Sequence, residues 1–212
     1  MTTMPYRRFL TCLGLALGLS GCASLLTDPP KPLFQLTPKS TFAAGLPHMS
    51  GQLLIDQPLA PGGHDINRIA LSRSPVSLDY FADGEWTDPA PRLVQTELLE
   101  SFENSHAVTA LDRETIGLSA DFVLKSELRH FEAVYDSPNG PPQVWVVLNV
   151  RLVKMPERKI IADQSFEARY PAGANNLRDI VLAFDEALGK VMKETVAWVV
   201  TNPALQERPR RL

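Results

Sequence analysis

Between Asp121 and Arg169, apolar and polar residues alternate along three consecutive segments, and few folds can hide apolar positions spaced this way. In Asp121–Phe131, Phe122, Leu124, Ser126 and Leu128 take one face, while Lys125, Glu127 and Arg129 take the other. Gln143–Lys154 repeats the pattern through Val144, Val146, Leu148, Val150 and Leu152. Ile160–Arg169 is the third segment. The breaks between them, Pro138-Asn139-Gly140-Pro141-Pro142 and Pro156–Lys159, are turn sequences. Period two demands strands, and short connections favour pairing of sequential strands, so an antiparallel meander is predicted.

One face of that sheet must then be covered. Asn176 is a predicted helix cap, and Leu177, Val181, Phe184, Leu188, Val191, Thr195 and Trp198 follow a helical period after it. A second amphipathic helix is predicted over residues 89–104, with Asp88 as N-cap and Pro89 at the first helical position. Its apolar face holds Leu93, Val94, Leu98 and Phe102, and Glu97, Glu100 and Glu103 are expected to face solvent. Upstream, Phe34–Leu36, Gln52–Asp56 and Asn67–Ser72 read as strands, with the turn-rich stretch Thr37–Ser50 between the first two. Val76, Leu78 and Tyr80 alternate toward Asp83-Gly84, which reads as a hairpin turn with Glu85–Thr87 returning. Val108–Leu111 is a further short strand. The order predicts one α+β domain over residues 34–200, with a mostly antiparallel or mixed sheet backed by two helices, at about 89–104 and 176–200. Residues 201–212 are expected to form a flexible basic tail.

The N-terminus follows a different logic. Arg7 and Arg8 precede an uncharged apolar run, Phe9–Leu19, that is shorter than the roughly 20 residues a spanning helix needs. This is the layout of a secretory signal peptide, here residues 1–21. The next residues, Leu19-Ser20-Gly21-Cys22, resemble the lipobox of bacterial lipoproteins. The resemblance implies diacylglyceryl transfer to the Cys22 thiol, cleavage after Gly21 and acylation of the new amino group. Several acyl chains anchor a protein stably at about 0.8 kcal/mol per buried CH₂. In bacterial lipoproteins of this type an Asp after the cysteine retains the protein at the inner membrane; Ala23 stands here, so the resemblance implies the outer membrane, facing the periplasm. Residues 22–33 form the lipidated cysteine and a tether, which Asp28-Pro29-Pro30-Lys31-Pro32 keeps extended. At about 3.1 Å per residue such a spacer reaches roughly 30 Å.

The two cysteines are Cys12, inside the leader, and Cys22. A processed chain therefore carries no free thiol for catalysis or metal binding. The net charge of −3 becomes more negative once Arg7 and Arg8 leave, which argues against nucleic acid as a partner. No GxSxG, HExxH, P-loop or GxGxxG occurs. His48, His64, His106 and His130 show no metal-ligand spacing. His64-Asp65 lies in a Pro/Gly loop and is expected to be solvated, and His130 is expected to continue the apolar face of its strand, partly buried and hydrogen-bonded. Asp79 is expected to face solvent. Trp86, Trp145 and Trp198 are expected in the core or between elements, and Tyr80 with Trp86 to flank the hairpin turn. The expected site residues reduce to Cys22 as the lipidation site, with no catalytic, cofactor or metal residue.

With these elements in order, the chain resembles the ABC-type transport auxiliary lipoprotein family. The residues that carry the resemblance are Phe34-Gln35-Leu36, then Tyr80, Trp86, Pro91, Leu93 and Leu98. Asp121–Leu124 with Leu128 and Phe131 follow, then Phe166, Pro171, Ala187 and Trp198. The resemblance implies a non-catalytic accessory of an envelope ABC transporter whose substrate-binding protein has an MCE (mammalian cell entry) domain, in a system moving lipids between inner and outer membranes. It implies a lipid-anchored membrane association and an MCE-domain protein partner. The body is expected to be filled, with lipid passing through the partner. Exposed strand edges permit a monomer or a homo-oligomer. Two other readings stay open: a different structural or assembly lipoprotein of the outer membrane, and a periplasmic hydrolase using His64 or His106. The last requires a concave pocket holding a perturbed histidine beside a nucleophile.

Overall fold

A computed structural model describes residues 30–113 and 120–206. Cys22, the expected signal peptide and most of the expected tether lie outside the described residues, as do 207–212. The strands are β1 (Leu33–Phe34), β2 (Met49–Ile55), β3 (Arg68–Ser72), β4 (Asp79–Trp86), β5 (Val108–Arg113), β6 (Phe122–Val134), β7 (Gln143–Lys154) and β8 (Lys159–Pro171). The helices are α1 (Ala90–Ser105), α2 (Leu177–Thr201) and the short α3 (Pro203–Gln206).

The meander is present: β7 pairs antiparallel with β6 on one side and β8 on the other. The second edge of β6 carries two short strands end to end, both parallel to it. β2 pairs at Phe122–Leu124 and β3 at Ala133–Val134, with a single bridge from Leu59 to Glu127 between them. β5 lies parallel outside β2; β4 lies antiparallel outside β3, and β1 parallel outside β4. The sheet is therefore mixed, and the fold is α+β as expected.

α2 forms as its sequence requires. The Asn176 side chain accepts the Asp179 backbone N–H at 3.0 Å, and the stripe through Val181, Phe184, Leu188, Val191 and Thr195 is buried. Phe184 meets Trp86 and Phe131 at ring-centroid distances of 5.2 and 4.9 Å. Trp86 is 1% exposed. These three rings tie α2 to β4 and β6, and each aromatic contact adds about 0.5–1.5 kcal/mol beyond burial. Trp198 packs edge-on against Phe166 at 6.0 Å, between helix and sheet. Beyond α2, the α3 residue Leu205 is fully buried.

Three expectations are corrected. Asp83-Gly84 makes no hairpin; both residues lie inside β4. The pairing of β4 with β3 shifts register between Arg68↔Glu85 and Ala70↔Tyr80, so the signal marks an irregularity within a strand. Gly84 is required for close approach, because a Cβ there would meet Leu177 Cδ2 and Phe34 Cε2 at 2.6 Å. Asp88 is not the cap of α1: Pro89 occupies that position without a side-chain bond, and Asp88 instead pairs with Arg92 at 3.5 Å. Glu97 does not face solvent; it is 6% exposed.

A β-bulge decides which face carries chemistry. Leu128 pairs with Leu148, but His130 pairs with Val147, so β6 holds one extra residue at Arg129. Before the bulge Phe122, Leu124 and Leu128 turn into the main core; after it Phe131 and Ala133 do. Val123, from the opposite face, forms a separate small cluster with Leu54 and Val153. His130 therefore leaves the apolar side on which unbroken alternation would place it, and stands on the face away from the helices.

Candidate binding cleft

On that helix-free face, side chains from β6, β7 and β8 line up across the strands. The His130 ring stacks on Trp145 with centroids 3.5 Å apart and planes at 16°. The Arg169 guanidinium lies 4.1 Å from the centre of the same indole. Trp145 Nε1 donates to Glu167 Oε1 at 2.8 Å, and Arg169 Nε donates to the same oxygen at 3.1 Å. Stacking on an indole restrains a guanidinium without consuming its charge.

Glu132 anchors the inner end of this row. Its carboxylate is buried, yet each oxygen has partners. Oε1 lies 2.8 Å from His130 Nδ1. Oε2 accepts the Phe131 backbone N–H at 2.6 Å and lies 3.3 Å from His64 Nε2. His64 is 7% exposed, which corrects the expectation of a solvated loop residue. Its loop is closed by the His64 N–H to Pro61 carbonyl bond at 2.8 Å and by Tyr80 Oη donating to the Gly63 carbonyl at 3.1 Å. Burial holds the His64 pKa below its ordinary value; Glu132 opposes that and His130 adds to it. His64 is thus neutral at pH 7, with its Nε2 edge turned toward Glu132 Oε2. Its Nδ1 is buried with no hydrogen-bond partner among the described residues.

The segment Ser72–Leu78 forms the opposite wall. Ser72 Oγ donates to the Ser74 carbonyl at 2.7 Å, Ser74 and Ser77 share a hydroxyl bond at 2.9 Å, and the Tyr135 N–H reaches the Ser72 carbonyl at 2.8 Å. Arg73 sits 4.6 Å over the Tyr135 ring. Together these walls enclose a half-open cleft of about 620 Å³.

A second cluster lies on the helical side. The Thr37 N–H and hydroxyl both bond to the Asp185 carboxylate of α2, at 2.7 and 2.8 Å. The Lys39 N–H donates to Ser101 Oγ at 2.9 Å, and Asn104 Nδ2 donates to the Lys39 carbonyl at 3.2 Å, both on α1. The segment after β1 is thus strapped across both helices. Beneath it Glu97 is pushed up to about 7, by burial first and then by Glu100 and Asp185.

Of the histidines, His48 and His106 are exposed, the latter ending α1 with φ of 53°, and neither joins the cleft. His64 and His130 are brought together through Glu132, a residue that sequence reading passed over, as it did Arg73 and Arg169. Among the described residues, no serine or threonine hydroxyl is hydrogen-bonded to either cleft histidine. No group of three or more His, Cys, Asp or Glu there is placed to hold a metal ion. No described helix is long and apolar enough to cross a membrane. The cleft offers cations on aromatic faces, a buried carboxylate already satisfied, and an apolar rim: the makings of recognition.

The family described as "ABC-type transport auxiliary lipoprotein component" matches residues 34–196. An uncharacterised protein of Bradyrhizobium diazoefficiens is 31% identical over 153 residues, which is 72% of this chain and 40% of that relative, so the chain spans less than half of it. The crystal structure of a Xanthomonas campestris protein assigned to DUF330 is similar at a TM-score of 0.70 and 25% identity, covering 82% of this chain and 95% of the other. Another uncharacterised protein shares the fold at a TM-score of 0.60 and 15% identity, covering 81% and 99%.

Proposed function

This chain belongs to the ABC-type transport auxiliary lipoprotein family, and on that premise we propose that it is the non-catalytic, lipid-anchored accessory of an MCE-type ABC system that moves lipids between the inner and outer membranes. Cys22 carries the acyl chains, the leader 1–21 is removed, and the body stands off the periplasmic face of the outer membrane on the proline-rich tether. The family match over the body carries this reading. The strap supports it mechanically. The chain enters the body through β1 and is at once bonded to α2 at Thr37 and to α1 at Lys39, so tension from an anchor is delivered to both helices. A protein that positions a partner needs that rigidity and needs no reactive side chain.

The test is affinity purification of the native lipoprotein from detergent-solubilised envelopes, with mass spectrometry of its N-terminus. Co-purification of an MCE-domain protein with an ABC permease, and an acylated Cys22 as first residue, is the expected result. A β-barrel assembly partner in their place would favour a different outer-membrane lipoprotein role. An unmodified Cys22 with the leader attached would remove the anchor from the mechanism.

A further inference from the structure

We propose that the cleft on the helix-free face is a docking surface for an acidic, apolar-flanked segment of a protein partner. This rests on the reading above only in assuming that the chain works by holding another protein.

Charge complementarity is the first support. Arg73, Arg129 and Arg169 all line the cleft. Arg169 and Arg129 each share one carboxylate, Glu167 and Glu127, through exposed pairs. Arg73 rests on Tyr135 and pairs with no carboxylate among the described residues. The acid at the inner end, Glu132, is already bonded to Phe131 N–H and His130 and has His64 Nε2 at 3.3 Å, so it does not cancel the arginines at the mouth. Asp136 is the other acid on the lining. An incoming carboxylate meets two guanidinium groups, Arg73 and Arg169, whose planes rest on aromatic rings, which lowers the ordering cost of bidentate binding.

The second support is the shape of the apolar part. Val76 is 96% exposed and Leu78 is 38% exposed, beside Pro75 on the wall. These three residues can cover one or two apolar side chains of a peptide. They are too few to cover an acyl chain, whose affinity depends on burying every CH₂. The combination of a cationic floor and a short apolar lip therefore selects a peptide segment over a lipid.

The test introduces p-benzoylphenylalanine at Val76, a position 96% exposed and so expected to leave folding untouched, in the natively expressed protein in its own envelope. Irradiation is followed by sequencing of the cross-linked species. The expected adduct is one protein segment with Asp or Glu beside apolar residues. Its yield falls about fivefold with Arg73→Glu and similarly with Arg129→Glu, and falls less with Arg73→Lys, which keeps the charge but loses the planar fork. Unchanged thermal melts of these variants separate recognition from folding. Cross-linking to lipid alone, to an uncharged or basic segment, or to nothing, overturns the proposal; so does an adduct indifferent to the arginine reversals. Co-purification of the transporter is read independently, so the docking surface can fail while the accessory role stands.

Discussion

Replacing Glu97 with Gln tests the helical side of the structure, because a carboxyl raised from 4.5 to about 7 makes folding proton-dependent. Between those values the native state holds a proton that the unfolded chain releases, so stability falls as pH rises through the window. The full shift corresponds to about 3 kcal/mol at pH 8. Because Glu97 borders the groove beside Gln35–Pro38 and Glu100, which leaves part of its charge open to solvent screening, the expected effect is roughly 1–2 kcal/mol. Glu97→Gln has no charge to lose, and it is expected to be more stable than the wild type by that amount at pH 8 and to match it at pH 4.5. Urea unfolding of both proteins at half-unit steps from pH 4.5 to 8 gives the difference directly. Taking the difference cancels His64, whose titration is common to both chains. A difference that does not vary with pH, or a variant less stable at pH 8, would mean that the Glu97 carboxylate is satisfied in the fold and that the reasoning is wrong.

His64 has the opposite sign: its pKa is held below 6.5, so its contribution is present above that value and is lost as pH falls through the folded one. The advantage of wild type over His64→Gln should shrink between pH 7 and pH 5 in the same urea assay. Gly84→Val drives a side chain into Leu177 and Phe34, and should cost about 1–3 kcal/mol while exposing the β1 amides to hydrogen exchange. Phe131→Ala empties the centre of the Trp86–Phe184 cluster and should cost about 3–5 kcal/mol by urea unfolding. Leu205→Ala should cost about 2–5 kcal/mol by urea unfolding because its side chain is fully buried, and an unchanged midpoint would refute the packing of α3.

Long strands announced themselves because their alternation is unbroken over many residues; β7 and α2 needed nothing but their own period. Short elements did not, because their partners are distant. β2 and β3 lie parallel to β6, and nothing in Leu53–Ile55 or Ile69–Leu71 distinguishes a parallel neighbour from an antiparallel one. Asp83-Gly84 misled because glycine serves two purposes, positive φ in turns and absence of Cβ in close packing, and only the position of Phe34 and Leu177 tells which applies. Glu97 misled because helical period places it at the edge of the apolar stripe, where the strap over Thr37–Lys39 decides its burial. The cleft was hidden by a single extra residue: without the bulge at Arg129, His130 would point into the core and could not stack on Trp145. Of the signal that could have pointed there, the closeness of His130 and Glu132 on one strand face was available, and His64 was not.

The arrangement of the two clusters bears on how the proposed anchored accessory would work. The strap from the tether bonds to α1 and α2, on the helical layer, while the arginine cleft opens on the sheet face that the helices leave bare. A mooring and a recognition surface on the same face would compete for space near the membrane. Here the core residues Trp86, Phe131 and Phe184 lie between them. That core is close-packed, so it transmits load without rearranging. Loosening the strap, by Thr37→Ala, should then change the mechanical coupling of the tether while leaving the cleft's stack of His130, Trp145 and Arg169 intact. The Trp145 indole N–H resonance, assigned by its loss in Trp145→Phe, reports the latter and hydrogen exchange at Phe34–Lys39 the former. Coincident loss of both would show that the layers are coupled and that the separation of duties proposed here does not exist.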